Sequence, residues 1–165
     1  MEWLSQNLKI AGGALLLAAI AIYFIISGES GPEAEVNQRL DKLCDLVSFE
    51  SPEPQIEQIT RAKKFSNLFV DSPYLVAWKL NKSITDKDAL TGLFVTTRRM
   101  ANSANVSMGS RQITVAPSGK SATVTATIKG NVQFKGDSES YSGRYRIQLE
   151  KIGGDWLIST VEPLD

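Results

Sequence analysis

The chain has 165 residues, with 18 basic and 18 acidic side chains, one cysteine and no histidine. A formal charge of zero argues against a nucleic-acid surface or a polybasic lipid patch. The lack of histidine excludes a Ser-His-Asp or Cys-His catalytic arrangement and the usual zinc sites, and no glycine-rich phosphate loop occurs. The single cysteine, Cys44, excludes an intrachain disulfide and is expected to be a small buried residue. We therefore expect no cofactor and no metal.

The N-terminal segment is expected to anchor the chain in a membrane. Residues 10–26 contain no charged side chain, and as a helix they cover about 26 Å of a hydrocarbon layer roughly 30 Å thick. A cleaved signal peptide is the first alternative, but no A-x-A site follows the apolar run. A buried core helix is the second, but the segment lacks a polar stripe. The sequence thus predicts a short cytoplasmic stub (1–9), a transmembrane helix (10–28) and a folded domain (29–165).

The flanking charges predict the orientation of this helix. Lys9 and the amino terminus precede the apolar run, whereas Glu29, Glu33 and Glu35 follow it before the first basic residue, Arg39. The positive-inside rule places the N-terminus in the cytoplasm. We therefore expect a single-pass protein of the bacterial inner membrane with its C-terminal domain in the periplasm.

Three amphipathic helices are predicted at the start of the domain. The first, 32–49, follows an S-x-x-E capping box that begins at Ser30. The second covers about 51–69, and the third covers about 85–101 with Thr85 as its cap. Each has apolar residues at intervals of three and four, which is typical of a helix with one buried face.

Two features of this helical half bear on its packing. The segment 74–80 is short and apolar, and it predicts either a strand or a brief helical turn. Arg98 and Arg99 end the third helix, where basic side chains complement the helix dipole. A solvated helix end is favoured there over a basic binding patch.

From about residue 105 the apolar residues alternate with a period of two. Turn sequences at 116–121, 135–140 and 153–154 divide this region into four long strands, and Gly130 is expected to mark a bulge. The layer rule packs the three helices on the apolar face of a curved antiparallel sheet. The predicted fold is therefore α+β, with four long strands and one short strand at 74–80.

The closing sequence GDWLISTVE, residues 154–162, resembles the last strand of SnoaL-like proteins. The element order over about 32–162 resembles the NTF2-like superfamily, also called cystatin-like α+β cones. The resemblance implies a cavity between helices and sheet. Because the superfamily includes isomerases, cyclases, dehydratases, nuclear transport factors and secretion-system components, the fold implies no single activity. With its predicted span, the overall plan also looks like the VirB-eight-type components of type IV secretion systems.

The resemblance directs attention to the cone cavity. Family enzymes often use an Asp or an Asp-His pair with a Tyr there, whereas this chain has no histidine. Asp71 and Asp86 lie at predicted element ends, where capping explains them. No carboxylate is flanked by apolar positions that would raise its pKa. We therefore expect no enzyme activity. The candidate cavity-lining residues, more often core than site, are Tyr74, Trp78, Tyr141, Tyr145 and Trp156.

The favoured function is an interaction or assembly module tethered in the cell envelope. Its expected partners are the lipid bilayer, through residues 10–28, and other envelope proteins or a second copy bound through the sheet. A tethered binder of a small apolar ligand is the alternative, and a SnoaL-like isomerase or hydratase is less favoured. The polar residues expected on the outer sheet face are Thr123, Thr125, Thr127, Arg144, Arg146 and Gln148.

Overall fold

The computed structural model of the chain describes residues 31–77 and 82–164. The predicted stub and transmembrane helix, residues 1–28, lie outside these ranges, so the expected anchor stays a prediction. Within the described ranges, no helix combines the length and apolar character needed to cross a membrane.

The three predicted helices are present, each slightly shorter than expected. They are α1 (Pro32–Val47), α2 (Gln55–Ser66) and α3 (Lys87–Met100). In α1 the buried residues Val36, Leu40 and Cys44 recur every four positions, which places them on one helical face. This face packs against the sheet.

The helix starts differ from the predicted caps. The N-cap of α1 is Gly31, without a side-chain cap hydrogen bond, and Pro32 occupies the first turn, where its missing N–H costs nothing. At α3 the cap is Asp86 and not Thr85, because the Asp86 carboxylate accepts a hydrogen bond of 3.0 Å from the backbone N–H of Asp88. The ionised oxygen also interacts favourably with the helix dipole.

Among the described residues, six strands form one mixed sheet, where four long strands and a short one were expected. They are β1 (Phe69–Ala77), β2 (Lys82–Ile84), β3 (Ala101–Val115), β4 (Ser121–Phe134), β5 (Asp137–Ile152) and β6 (Asp155–Pro163). The order across the sheet is β2-β1-β6-β5-β4-β3. The β1–β6 pair is parallel, with Tyr74 beside Thr160, so the sheet is not wholly antiparallel. The segment that begins at Tyr74 is therefore a strand through residue 77.

The bulge predicted at Gly130 is wrong. Gly130 keeps an unbroken register between β3 and β5. The β3–β4 register shifts instead at two places in β3, between Ala101 and Ser103 and between Gly109 and Gln112. At the second place Gly109 pairs with Thr127 and Gln112 with Thr125, so that β3 carries an extra residue. Ser110, at φ 50°, occupies this bulge.

The bulge in β3 turns the next side chain, Arg111, toward α1. Its Nη1 lies 2.7 Å from Oδ1 of Asp41 and 2.6 Å from Oδ1 of Asn37. Because a bulge changes the direction of the neighbouring side chains, the irregularity in β3 allows Arg111 to contact α1.

The core lies between the helices and one face of the sheet. Leu40 of α1 and Ile147, Leu149 and Ile158 of the sheet are almost completely buried in one cluster. Cys44 belongs to the same cluster, and burial raises the pKa of its thiol. The opposite sheet face contributes nothing to this core, because alternate residues of a strand point to opposite sides.

Candidate functional site

Among the five aromatic residues predicted to line a cavity, Trp78 lies outside the described residues. Tyr145 and Trp156 are buried, and Tyr141 is half-buried against the core. Tyr74 is 45% exposed. The four described residues therefore do not form one group, although Tyr141 and Tyr145 contact each other.

Tyr141 and Tyr145 form a pair on the inner face of β5. The hydroxyl groups of Tyr141 and Tyr145 are hydrogen-bonded to each other, and the ring centroids are 6.0 Å apart. Gly143 lies between them, at a position where a Cβ atom would collide with the Tyr141 hydroxyl. Burial, and then the hydrogen bond between the two hydroxyl groups, raise the pKa of Tyr145 far above its usual range. Its phenol is thus neutral at physiological pH.

Trp156 joins the sheet to α1. Its Nε1 donates to Oε2 of Glu35 at 2.9 Å, and Lys151 Nζ lies 2.6 Å from the same oxygen. The bond from Lys151, and then that from Trp156, lower the pKa of Glu35. Glu35 and Trp156 border an open polar groove between α1 and the β5–β6 turn, across which Arg39 pairs with Asp155 at 3.0 Å. The indole of Trp156 therefore serves packing and helix attachment.

A separate apolar pocket of about 200 Å³ lies between α2, α3 and the inner sheet face. Its walls include Phe65 and Phe94, which stack at a centroid distance of 4.3 Å, and Phe49 from the segment after α1. Val132 closes the sheet side, and Leu93, 44% exposed, stands at the rim. None of the described predicted cavity residues lines this pocket.

Arg98 is the charged residue in the wall of this pocket, and it is only 4% exposed. Its Nη1 donates to the carbonyl oxygen of Leu46 at 2.7 Å, and its Nη2 lies 2.7 Å from Oε2 of Glu53. The other Glu53 oxygen accepts from Nε of Arg61 at 2.9 Å. The Phe49 ring centroid lies 4.3 Å from the guanidinium carbon, a cation–π distance. The Nε of Arg98 is buried and has no hydrogen-bond partner among the residues that the structure describes.

The prediction of a solvated helix end is therefore wrong for Arg98, although Arg99 is exposed. The sequence contained a signal for this burial. Leu90, Phe94 and Arg98 follow one another at intervals of four, and all three are buried on one face of α3. The burial of Arg98 thus follows from the helical face on which it lies, and not from its position near the end of α3.

The six polar residues predicted for the outer sheet face lie opposite one another on β4 and β5. Thr123 pairs with Gln148, Thr125 with Arg146 and Thr127 with Arg144. The row continues onto β6, where Glu162 lies 3.1 Å from Nη1 of Arg146.

The helices α1, α2 and α3 all pack on the inner face of the sheet, where their buried residues join the core cluster. They therefore leave the outer face of the long strands uncovered. Among the described residues, no three His, Cys, Asp or Glu side chains gather into a group that could hold a metal ion.

Known structures resemble this fold. An NTF2-like protein with a cystatin-like fold from Novosphingobium aromaticivorans is 14% identical, with 90% of this chain and 88% of that chain covered at a TM-score of 0.57. A protein provisionally named scytalone dehydratase from the same organism is 13% identical, with coverages of 79% and 80% and a TM-score of 0.62. The association domain of C. elegans CaMKII is 12% identical, with coverages of 79% and 92% and a TM-score of 0.57.

No protein-family model and no curated protein matches the chain. At 12–14% identity, the structural likeness shows the fold alone. The NTF2-like fold expected from the order of elements is confirmed. The names of these neighbours include both an enzyme and an association domain, so they do not decide between catalysis and assembly.

Proposed function

We propose that the chain is a non-enzymatic NTF2-like interaction module, tethered in the bacterial cell envelope, that associates through the outer face of its sheet. The observation that carries this proposal is the uncovered polar face of the long strands, on which Thr125, Arg146 and Glu162 form a continuous cross-strand row. The first partner we propose for this face is a second copy of the chain.

The charges on the outer face suit self-association. Alternation along the strands adds Lys129 and Glu150 to the three outer charges of Arg144, Arg146 and Glu162. A two-fold contact brings one patch against its own copy, so a patch with both signs can be complementary where a patch of one sign would repel. Because the face is polar, such a contact is expected to be modest and hydrated.

The titratable groups favour binding over catalysis. A general base that works near neutral pH needs a raised carboxyl pKa or a lowered lysine pKa. The pKa of Glu35 is lowered by its partners, and the pKa of Tyr145 is raised out of the physiological range. Both shifts take the pKa of the group further from neutral pH, which makes Glu35 and Tyr145 less suited to proton transfer there. A SnoaL-like isomerase or hydratase is thus the less favoured alternative.

The tether rests on the uncharged run of residues 10–26. A domain held at the inner membrane, with its N-terminus in the cytoplasm, would present the sheet to other periplasmic proteins or to a second copy in the same membrane. Confinement to the membrane raises the effective concentration of such partners, which would compensate for a modest contact.

Sedimentation equilibrium of the full-length protein in detergent tests this proposal. We expect the wild type to be a dimer and Thr125→Arg to be a monomer, because the new cation lies opposite Arg146 in the middle of the face. Gln38→Arg, which adds the same charge to an exposed position on α1, is expected to remain a dimer. A dimeric Thr125→Arg variant, or a monomeric wild type, would contradict association through this face.

A further inference from the structure

We infer that the apolar pocket between α2, α3 and the inner sheet face binds a small uncharged aromatic molecule. This inference concerns the inner side of the sheet and is independent of association through the outer face. It starts from the size of the pocket, whose volume is about 200 Å³. An apolar protein cavity of about 150 Å³ is large enough to hold benzene. The pocket can therefore accommodate one aromatic ring with a small substituent.

Phenylalanine rings from three separate segments supply the aromatic part of the wall. Phe65 of α2 and Phe94 of α3 stack with a centroid distance of 4.3 Å and an angle of 14° between the ring planes. Phe49 joins them from the segment after α1. Aromatic rings attract one another in offset-stacked and edge-to-face arrangements, in addition to the burial of apolar area. These rings therefore favour an aromatic ligand over an aliphatic ligand of the same size.

Contacts outside the pocket hold this wall in place. The backbone N–H of Phe49 donates to the carbonyl oxygen of Ala104 at 2.8 Å, and the N–H of Ala104 donates to the carbonyl oxygen of Phe49 at 2.9 Å. The guanidinium carbon of Arg98 lies 4.3 Å from the Phe49 ring centroid, and Glu53 holds this guanidinium by an ion pair. Because ordering of side chains and loops opposes binding, a wall that is already fixed favours it.

The pocket favours an uncharged ligand, although Arg98 lies in its wall. The Nη1 of Arg98 donates to the carbonyl oxygen of Leu46 and its Nη2 to Glu53, whereas its Nε has essentially no accessible surface. The rest of the lining is almost wholly apolar. A carboxylate or an ammonium group would lose its hydration here without gaining a hydrogen-bond partner, which is strongly unfavourable. An uncharged ring has no such cost.

The rim and the volume of the pocket limit the size of the ligand. Leu93 of α3 is 44% exposed and Val132 of β4 is half-buried, so the pocket is reached from the protein surface. Its volume lies below the roughly 300–1,000 Å³ of pockets for drug-sized molecules. A molecule with several fused rings or a long acyl chain is therefore too large, and a single substituted ring fits.

Fluorine NMR of the full-length protein in detergent tests the preference for an uncharged ring. The probes are fluorobenzene, 4-fluorobenzoate and 4-fluorobenzylammonium, which carry no charge, a negative charge and a positive charge on the same fluorinated ring. Titration of protein-free micelles measures the partition of each probe into detergent, and this signal is subtracted. We expect saturable binding of fluorobenzene, and binding of each charged probe that is weaker by about tenfold or more.

Two results with the wild type would overturn the inference. The first is the lack of saturable binding of fluorobenzene at millimolar concentration. The second is a charged probe that binds as tightly as fluorobenzene. Neither result depends on the folding of a variant.

Two variants of β4 locate the binding site. Val132→Phe adds a ring on the inner side of the strand, where it fills the pocket, and is expected to abolish the saturable binding of fluorobenzene. Gln133→Phe adds the same ring at the next residue, which is exposed on the outer side, and is expected to bind fluorobenzene as tightly as the wild type. Unchanged binding by a folded Val132→Phe variant, or equal losses in the two variants, would overturn the assignment of this pocket.

Discussion

The carboxylate of Glu53 lies 2.7 Å from Nη2 of Arg98, and this contact ties the segment before α2 to the last turn of α3. Arg98 also donates to Leu46 at the end of α1. One buried side chain of α3 therefore contacts both the end of α1 and the segment before α2, in the wall of the apolar pocket. Its charge is tolerated because Glu53 pairs with it, since a buried charge without a partner is strongly unfavourable.

The Glu53–Arg98 pair leads to a prediction about stability. Glu53→Ala leaves the Arg98 charge buried without its partner and is expected to lower the free energy of unfolding by about 3–5 kcal/mol. Asp155→Ala breaks the Arg39 pair, in which the Asp155 side chain is 75% exposed, and is expected to cost only about 0–1 kcal/mol. Urea unfolding measures both values, and similar losses in the two variants would contradict the buried role of Arg98.

Two glycines are expected to respond to alanine in opposite directions. Gly143→Ala places a Cβ against the Tyr141 hydroxyl, which must move away from Tyr145, and we expect a loss of about 1–3 kcal/mol. Gly92→Ala, in α3, meets no atom within 4 Å and is expected to stabilise the protein by up to about 1 kcal/mol. Urea unfolding of both variants checks the signs, and a neutral Gly143→Ala would show that the tyrosine pair adapts freely.

The raised pKa of Tyr145 leads us to expect that the folded protein loses stability at alkaline pH. Below its usual pKa of about 10, the phenol is protonated in both the folded and the unfolded chain, and the folded protein has its full stability. Burial raises the pKa of Tyr145 in the folded chain. As the pH rises above about 10, the unfolded chain therefore releases a proton that the folded chain retains, and stability falls.

Unfolding free energies of the wild type and of Tyr145→Phe, measured between about pH 8 and about pH 11, check this sign. The variant is expected to have a shallower decline over this range, because its ring has no titrating hydroxyl. Lysines also titrate there, so the difference between the two proteins is the informative quantity. Parallel pH curves would contradict the prediction.

Cys44 is expected to be unreactive in the folded protein. It is 9% exposed, and burial raises the pKa of its thiol, which reduces the thiolate that reacts. An aromatic disulfide reagent at neutral pH should therefore modify Cys44 in urea but not in native buffer. Rapid stoichiometric modification of the native protein would argue against its packing in the core.

The predicted anchor can be checked by fractionation. The full-length protein is expected to remain with membranes after alkaline carbonate extraction, and a chain without residues 1–28 is expected in the supernatant. A C-terminal tag should be digested when protease is added to intact spheroplasts, because the domain is predicted to be periplasmic. A full-length chain that is extracted by carbonate, or a tag that is protected, would contradict the predicted tether or its orientation.

Local patterns predicted much of the fold. The period of three to four residues identified α1, α2 and α3, and alternation identified the four long strands with their hairpins. Such patterns depend on neighbouring residues, which share a face through the geometry of the helix or strand itself. The outer placement of Thr125 and Arg146 also followed from alternation alone, because inward apolar neighbours determine which residues point outward.

Only the tertiary structure decided which distant segments meet. The parallel pairing of β1 with β6 joins regions far apart in the chain, and no local pattern near Tyr74 specifies Thr160 as its neighbour. The buried ion pair likewise joins Glu53 and Arg98, which are 45 residues apart. Arg98 was predicted at a solvated helix end, although its spacing of four residues from Phe94 puts it on the buried face of α3. Its burial as an ion depends on a partner that only folding supplies. A sequence pattern determines local geometry, whereas the free energy of burying a charge depends on the complete three-dimensional surroundings.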